Sequence, residues 1–304
     1  METIQDIVVQ EMNEERYNRK HIDLKIRRAI ETNPLMITKL EEGVELVQDY
    51  MAKVDTYRSE KKYRVSQLAD INIPDLVMDM FVGIAYFQIP ELFTSVSAQM
   101  AARLKFSDKL EAIATVGELL AVLCATDAFD ITKDSKQASL KLVSRIPLDK
   151  QLLTFIERSA FLPPMVCAPL ELTHNFSSGY LTHNDSLVLG AGNHHDGDLC
   201  LDVLNLMNNV PLALDTTFLS EIEEEPTFEL DTQEKVEQWQ EFKRQSYYFY
   251  SLLAKQGNRF YFTHKVDKRG RIYDHGYHLN PQGTSFKKAM LEFAEPELVE
   301  GVPS

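Results

Sequence analysis

Arg269, Arg271 and Tyr273 stand two apart in the run Asp267-Lys268-Arg269-Gly270-Arg271-Ile272-Tyr273. On an extended strand that spacing turns all three side chains to one face. Two guanidinium forks so placed can reach neighbouring phosphates, and the tyrosine adds a ring for stacking or a hydroxyl for a sugar. The surrounding stretch is basic: between Ala254 and Lys288 there are eight Lys and Arg against Asp267 and Asp274, in a chain whose formal net charge is −14. A segregated basic stripe on an acidic protein is the footprint of a surface that neutralises phosphates. The plainer reading of the same cluster is a solvated basic hairpin.

The elements needed to hold these residues can be read on either side. Phe260, Tyr261 and Phe262 are strand formers, as are Ile272 and Tyr273, and Asp267 with Gly270 at the first and fourth positions suits a type I turn between them. His278 to Gly283 (HLNPQG) is a polar turn, after which Lys287 and Lys288 open a further short helix. Upstream, Asp198–Asn209 has helical spacing, followed by the acidic loop SEIEEEPTFEL. Asp231 with Glu234 three residues on predicts a helix start. Val236, Trp239, Phe242, Phe249, Leu252 and Leu253 keep helical register up to a stop at Gly257. That helix, about 37 Å long at 1.5 Å per residue, forms an arm with the one before it. Tyr247, Tyr248 and Tyr250 are too many for one buried face, so some are expected to be exposed or packed on another chain.

Residues 161–198 read as an irregular connector with short strands such as Ser186–Leu189. GAGNHHDG within it has phosphate-loop glycines without the Lys-Ser/Thr that should follow, and His194, His195, Asp196 and Asp198 suit a polar turn better than a metal site. Residues 1–160 read as a helical domain, with stripes at Ile4/Ile7/Val8/Met12, at Leu40/Val44/Val47/Met51 and at Leu110/Ile113/Ala114/Leu120/Leu123/Cys124. Arg16, Arg19, Lys20, Lys25, Arg27 and Arg28 fit a solvated helix face. The three cysteines form no CxxC pair, so reduced thiols are expected. The N-terminus is acidic and unlike a signal peptide, and the longest apolar run, 112–126, is too short for a bilayer and holds Glu118. These features point to a cytoplasmic protein without membrane contact.

The order of motifs resembles the single-subunit RNA polymerases of bacteriophages and mitochondria. Asp267-Lys268-Arg269-Gly270-Arg271 matches the Asp-x-x-Gly-Arg motif that opens their palm, and the match continues through Asn280-Pro281-Gln282-Gly283 to Lys288. Pro163-Pro164 and Gly179-Tyr180 are similar to elements preceding the family's thumb. The resemblance implies a mainly α chain with a small α+β part: a helical N-terminal domain (1–160), the connector (161–198), thumb-like helices (199–257) and the first palm strands (258–304). It implies that Arg271 and Tyr273 contact the template or RNA–DNA hybrid, with Arg269 and Lys288 as backbone contacts. Asp267 would orient the turn and Gly270 serve its conformation.

Two-metal nucleotidyl transfer needs paired carboxylates and a cationic helix for the triphosphate. In the resembled family these lie downstream of NPQG, and here only about twenty residues follow it, including an acidic tail (FAEPELVEGVPS) suited to a natural end or connection. The expectation is a noncatalytic subunit, similar to the small subunit of the two-subunit RNA polymerases of N-four-like phages. A larger partner would carry fingers, catalytic aspartates and Mg²⁺, in the cytoplasm of an infected bacterium. DNA template, RNA–DNA hybrid and a phage single-stranded-DNA-binding or recruitment factor are the other partners implied. The alternatives are a stand-alone nucleic-acid-binding or regulatory protein and a hydrolase built on His194, His195 and Asp198.

Overall fold

Helix starts in this chain are set by side chains that accept the first free N–H groups. Thr3 and Asp6 form a capping box for α1 (Ile4–Tyr17), while Asn33 and Asn72 cap helices that carry proline in their first turn. The computed structural model describes residues 3–104, 109–134, 139–159, 161–190, 193–296 and 301. Within them the chain is mainly α with a small α+β part, and no described helix is long and apolar enough to cross a membrane. The acidic tail lies largely outside the described residues, as does Gly192 of GAGNHHDG.

Two compact units result: residues 19–157, and residues 1–18 together with 158–304. The first contains α2 (Arg19–Glu31), α3 (Pro34–Ala52), α4 (Ser59–Ser66), α5 (Ile73–Ile84), β1 (Glu91–Leu92), α6 (Phe93–Leu104), α7 (Lys109–Leu123), β2 (Phe129–Asp134), β3 (Ser139–Ser144) and most of α8 (Lys150–Arg158). Its strands form one antiparallel sheet in the order β1-β3-β2. Ile22, Ile26 and Ile30 of α2, four apart, enter a core with Val47, Phe81, Leu120 and Phe129. The α7 stripe is in a different phase from the one predicted. Ala112, Thr115, Val116, Leu119, Leu120 and Leu123 are buried, while Ile113 and Ala114 are exposed. The helix is apolar almost all round, so periodicity alone does not choose its inner face.

The second unit holds α1, α9 (Leu201–Asn208), β4 (Leu212–Leu214), α10 (Thr216–Glu221), α11 (Gln233–Lys255), β5 (His264–Val266), β6 (Ile272–Asp274), α12 (Ser285–Ala289) and β7 (Leu291–Phe293). β4 pairs antiparallel with β7, and β5 with β6. Residues 260–266 are its spine, bridging Leu212 at Phe260, Met165 at Tyr261 and Val188 at Val266. The expected strand at 260–262 is thus two isolated bridges, and the regular pairing begins at His264. Ser186–Leu189 is likewise no strand of its own, since Val188 makes a single parallel bridge.

Helix α11 begins one residue later than predicted. Thr232 caps it by accepting the Lys235 N–H, and Asp231 pairs with the Lys235 ammonium instead. Its end is as expected: Gly257 takes φ +103° and the Asn258 N–H returns to the Leu253 carbonyl, closing a Schellman turn. The three tyrosines all find places within the chain. Tyr250 is buried and donates to the His278 carbonyl, Tyr247 tilts against Tyr250, and Tyr248 meets Tyr17 with hydroxyls 2.6 Å apart.

The predicted stripe of α1 is inverted. Ile4, Ile7, Val8 and Met12 face solvent, and Gln10, Asn13, Glu14 and Tyr17 are buried. The polar face goes inward because the segment it covers, 165–183, offers backbone N–H groups that need acceptors. Gln10 accepts the Val166 N–H, and Glu14 accepts those of Leu181 and Thr182, each at 2.9 Å.

Candidate nucleic-acid interface

The hairpin β5–β6 pairs His264 with Asp274, Lys265 with Tyr273 and Val266 with Ile272. Its loop is a three-residue connection closed by two hydrogen bonds, Gly270 N–H to the Asp267 carbonyl and Asp267 N–H to the Arg271 carbonyl, both 2.9 Å. Such a loop needs a left-handed residue after the turn. Gly270, at φ +79°, supplies it.

Asp267 organises the tip. Its Oδ1 accepts the backbone N–H groups of Arg269 (2.9 Å) and Arg271 (3.0 Å). Its Oδ2 faces Nε and Nη2 of Arg271, both at 2.7 Å, and Nε of Arg269 at 3.4 Å. Desolvation opposes the Asp267 charge, but the Arg271 N–H and guanidinium outweigh it and hold the carboxyl below its ordinary pKa. One carboxylate therefore gathers both arginines, which remain 71% and 53% exposed. The Arg271 guanidinium lies 5.5 Å from the Tyr273 ring centre. A cationic fork beside a ring, open to solvent, suits a phosphate with its adjoining sugar or base.

The base of the hairpin is pinned from two distant segments. Tyr180 is buried with its hydroxyl between Thr263 Oγ1 (3.2 Å) and His275 Nδ1 (3.1 Å), one on each side of the strand pair. Burial pushes that hydroxyl's pKa up. Gly179 precedes it at φ +76°, where an added Cβ would lie 3.1 Å from Pro169 Cβ and 3.2 Å from Thr263 Cγ2. From the other side, Gln282 of the NPQG turn donates to the Ile272 carbonyl (3.1 Å) and accepts the Asp274 N–H (3.2 Å). The Gly-Tyr pair, the Asp-x-x-Gly-Arg hairpin and NPQG thus meet at one place.

Glu14 reaches the same assembly from α1. Burial works against its charge, yet hydrogen bonds from His183, Gln10, Thr182 and the Leu181 N–H bring its pKa down to about 2. Sequence reasoning missed this anchor. Its signal is the polar set Gln10, Asn13, Glu14 and Tyr17, which keeps helical spacing opposite the apolar stripe.

The basic stripe is less uniform than its composition. Lys265 is buried against Asp185 at 3.0 Å, and Arg259 pairs with Glu295 at 2.7 Å. Lys287 donates to the Tyr277 carbonyl and lies near the rings of Phe242 and Tyr277, where burial lowers its pKa. Lys288 is exposed on α12, which Thr284 caps, and no hydrogen bond or ion pair joins it to the hairpin among the described residues.

A probable DNA-directed RNA polymerase of Gelasinospora sp. (strain G114) is 27% identical to this chain over 151 residues. The aligned part covers 45% of this chain and 17% of that protein. The match supports a relationship to RNA polymerases. No family model matches the chain.

The described residues do not fit a Mg²⁺ site. No three His, Cys, Asp or Glu side chains among them gather as metal ligands. Both oxygens of Asp267 are engaged by N–H groups and guanidinium. Asp274 is buried, and burial, offset in part by its own and the Gly276 backbone N–H and by Lys287, raises its pKa to about 6. His194 and Asp196 stand 3.9 Å apart, with both side chains exposed.

Proposed function

We propose that this chain is a noncatalytic subunit of a heterodimeric phage DNA-dependent RNA polymerase. In this reading α11 with its neighbours is the thumb, and residues 258–296 open the palm. The observation that carries it is the convergence of Gly179-Tyr180, Asp267–Tyr273 and Gln282 on one exposed arginine-bearing hairpin. The similarity to a DNA-directed RNA polymerase supports a role in transcription. Arg271 binds a backbone phosphate of the template or hybrid, Tyr273 rests against the adjoining sugar or base, and Arg269 with Lys288 adds further backbone charge. Asp267 holds the two guanidinium groups in position and takes no part in metal binding. The carboxylates for Mg²⁺, and the fingers, come from a larger partner chain, and the complex works in the cytoplasm of the infected host, with a single-stranded-DNA-binding or recruitment factor.

The test is co-expression with neighbouring reading frames, purification of any complex, and assay of RNA synthesis on single-stranded or melted DNA. A stable complex that makes RNA, with neither chain active alone, is expected. If no partner restores synthesis while the isolated chain binds nucleic acid tightly, it is a stand-alone nucleic-acid-binding or regulatory protein instead.

A further inference from the structure

On the flank of α11 a cleft of about 400 Å³ is lined by Phe161, Phe242, Tyr277, His278 and the side chains of Glu237 and Glu241, among others. Its wall is an aromatic stack. Phe161 lies flat on Tyr277 with ring centres 3.4 Å apart and planes 8° from parallel, and Phe242 stands edge-on to Tyr277 at 5.9 Å. Phe161 and Tyr277 nevertheless stay 38% and 41% exposed. A stacked pair in contact with both solvent and a cleft is a binding surface more than a core element.

The electrostatics select the occupant. Aromatic faces attract cations, and the helix edge above them carries carboxylates. The Glu241 carboxylate already takes the Arg244 guanidinium at 2.7 Å. Glu237, one turn earlier, is bonded by the Gln233 amide and has no ion pair among the described residues. Lys287 shows what these rings accept, its ammonium lying 5.2 Å from the Phe242 centre and 5.4 Å from that of Tyr277. A phosphate-bearing ligand meets two carboxylates here, so this face is unsuited to nucleic acid. A planar guanidinium can stack on the exposed rings while its fork reaches Glu237.

We propose that this cleft receives an arginine side chain of a partner polypeptide. The preference is set by the cleft and does not depend on what the hairpin binds. The chain's single tryptophan, Trp239, stacks on Phe242 at 5.4 Å and so reports on occupancy. Trp239 emission of the full chain is to be titrated with acetyl-Gly-Arg-Gly-amide, with its citrulline counterpart and with a thymidine dodecamer. The expected result is saturable binding of the arginine peptide, weakened by salt, at least about tenfold weaker in Glu237→Gln, and absent with citrulline. Because Glu237 is exposed on the helix, that variant should fold, and near-ultraviolet circular dichroism checks it. Phe161→Leu, which removes the outer ring, should weaken binding as well. Equal binding of the citrulline peptide, an unchanged Glu237→Gln titration, no response to the arginine peptide, or preferential binding of the oligonucleotide each overturns the proposal.

Discussion

Replacing Glu14 by glutamine tests whether the first helix is a working part of the second unit. In the folded chain the Glu14 pKa is about 2, against an ordinary 4.5. At 1.36 kcal/mol per pKa unit the charged form contributes about 3 kcal/mol to folding. A depressed carboxylate contributes this in full above pH 4.5, and the contribution is lost as pH falls towards 2. Glutamine keeps one acceptor oxygen but turns its NH₂ donor towards one of the two N–H groups, Leu181 or Thr182, that the separate Glu14 oxygens accept at 2.9 Å. The cost at pH 7 should be about 2–4 kcal/mol. Trp239 lies in the same unit, so urea unfolding followed by its emission reads the effect directly. With a urea slope of about 2–3 kcal/mol per M, the midpoint should fall by roughly 1 M. The gap between variant and parent should narrow to about half at pH 3 and close only as the pH approaches 2. Ile4→Ser, on the face that is 82% exposed at that residue, should change the unfolding free energy by no more than about 0.5 kcal/mol. A Glu14→Gln midpoint equal to that of the parent at neutral pH would refute the anchoring role.

Arg271→Ala should weaken template binding by a similar factor for every sequence and lower the slope of log affinity on log salt by about one. In the assembled complex it should raise abortive products while leaving assembly intact, as measured by transcript length. Gly270→Ala should cost about 1 kcal/mol from its φ of +79° alone, because nothing lies within 4 Å of the added carbon. Gly179→Ala should cost clearly more in the same thermal melt, since its Cβ crowds Pro169 and Thr263 as well. His264 and His278 are each held neutral by burial, with pKa values of about 4. The unfolded chain then binds more protons between pH 6.5 and 4, so stability should fall as pH drops through that window. Replacing His278 should make the fall less steep in an unfolding series against pH.

Much of the second unit could be read from local chemistry. The loop of the hairpin follows from Asp267 and Gly270, and the end of α11 from Gly257, because each feature is decided within five residues. Features decided by distant partners were not legible. The polar set of α1 keeps helical spacing, but nothing near Ile4 or Ile7 says that it, and not the apolar stripe, turns inward to meet Val166 and Leu181. The inner face of α7 depends on packing against helices elsewhere in its unit. Lys265 and Lys287 looked equivalent to Lys268 and Lys288 by composition. Only the fold shows that Asp185 and the Tyr277 carbonyl engage the first two. The cleft beside α11 was equally hidden, since it joins residues from 161, 242 and 277.

Tyr17 bonds the hydroxyl of Tyr248, and the Arg158 guanidinium lies 4.0 Å from the centre of the same ring. The chain therefore leaves and re-enters the second unit at one tyrosine, and residues 19–157 are an insertion between those two points. Synthesis meets this arrangement in an awkward order. Glu14 leaves the ribosome 167 positions ahead of Leu181, the backbone it must hold. At about 5–20 residues per second the helix waits roughly 10–30 s for its partner. During that time both of its faces are uncovered by the unit it belongs to, while the inserted unit can already fold. A helix that buries polar side chains is well suited to the delay, because the face left waiting is one that water solvates.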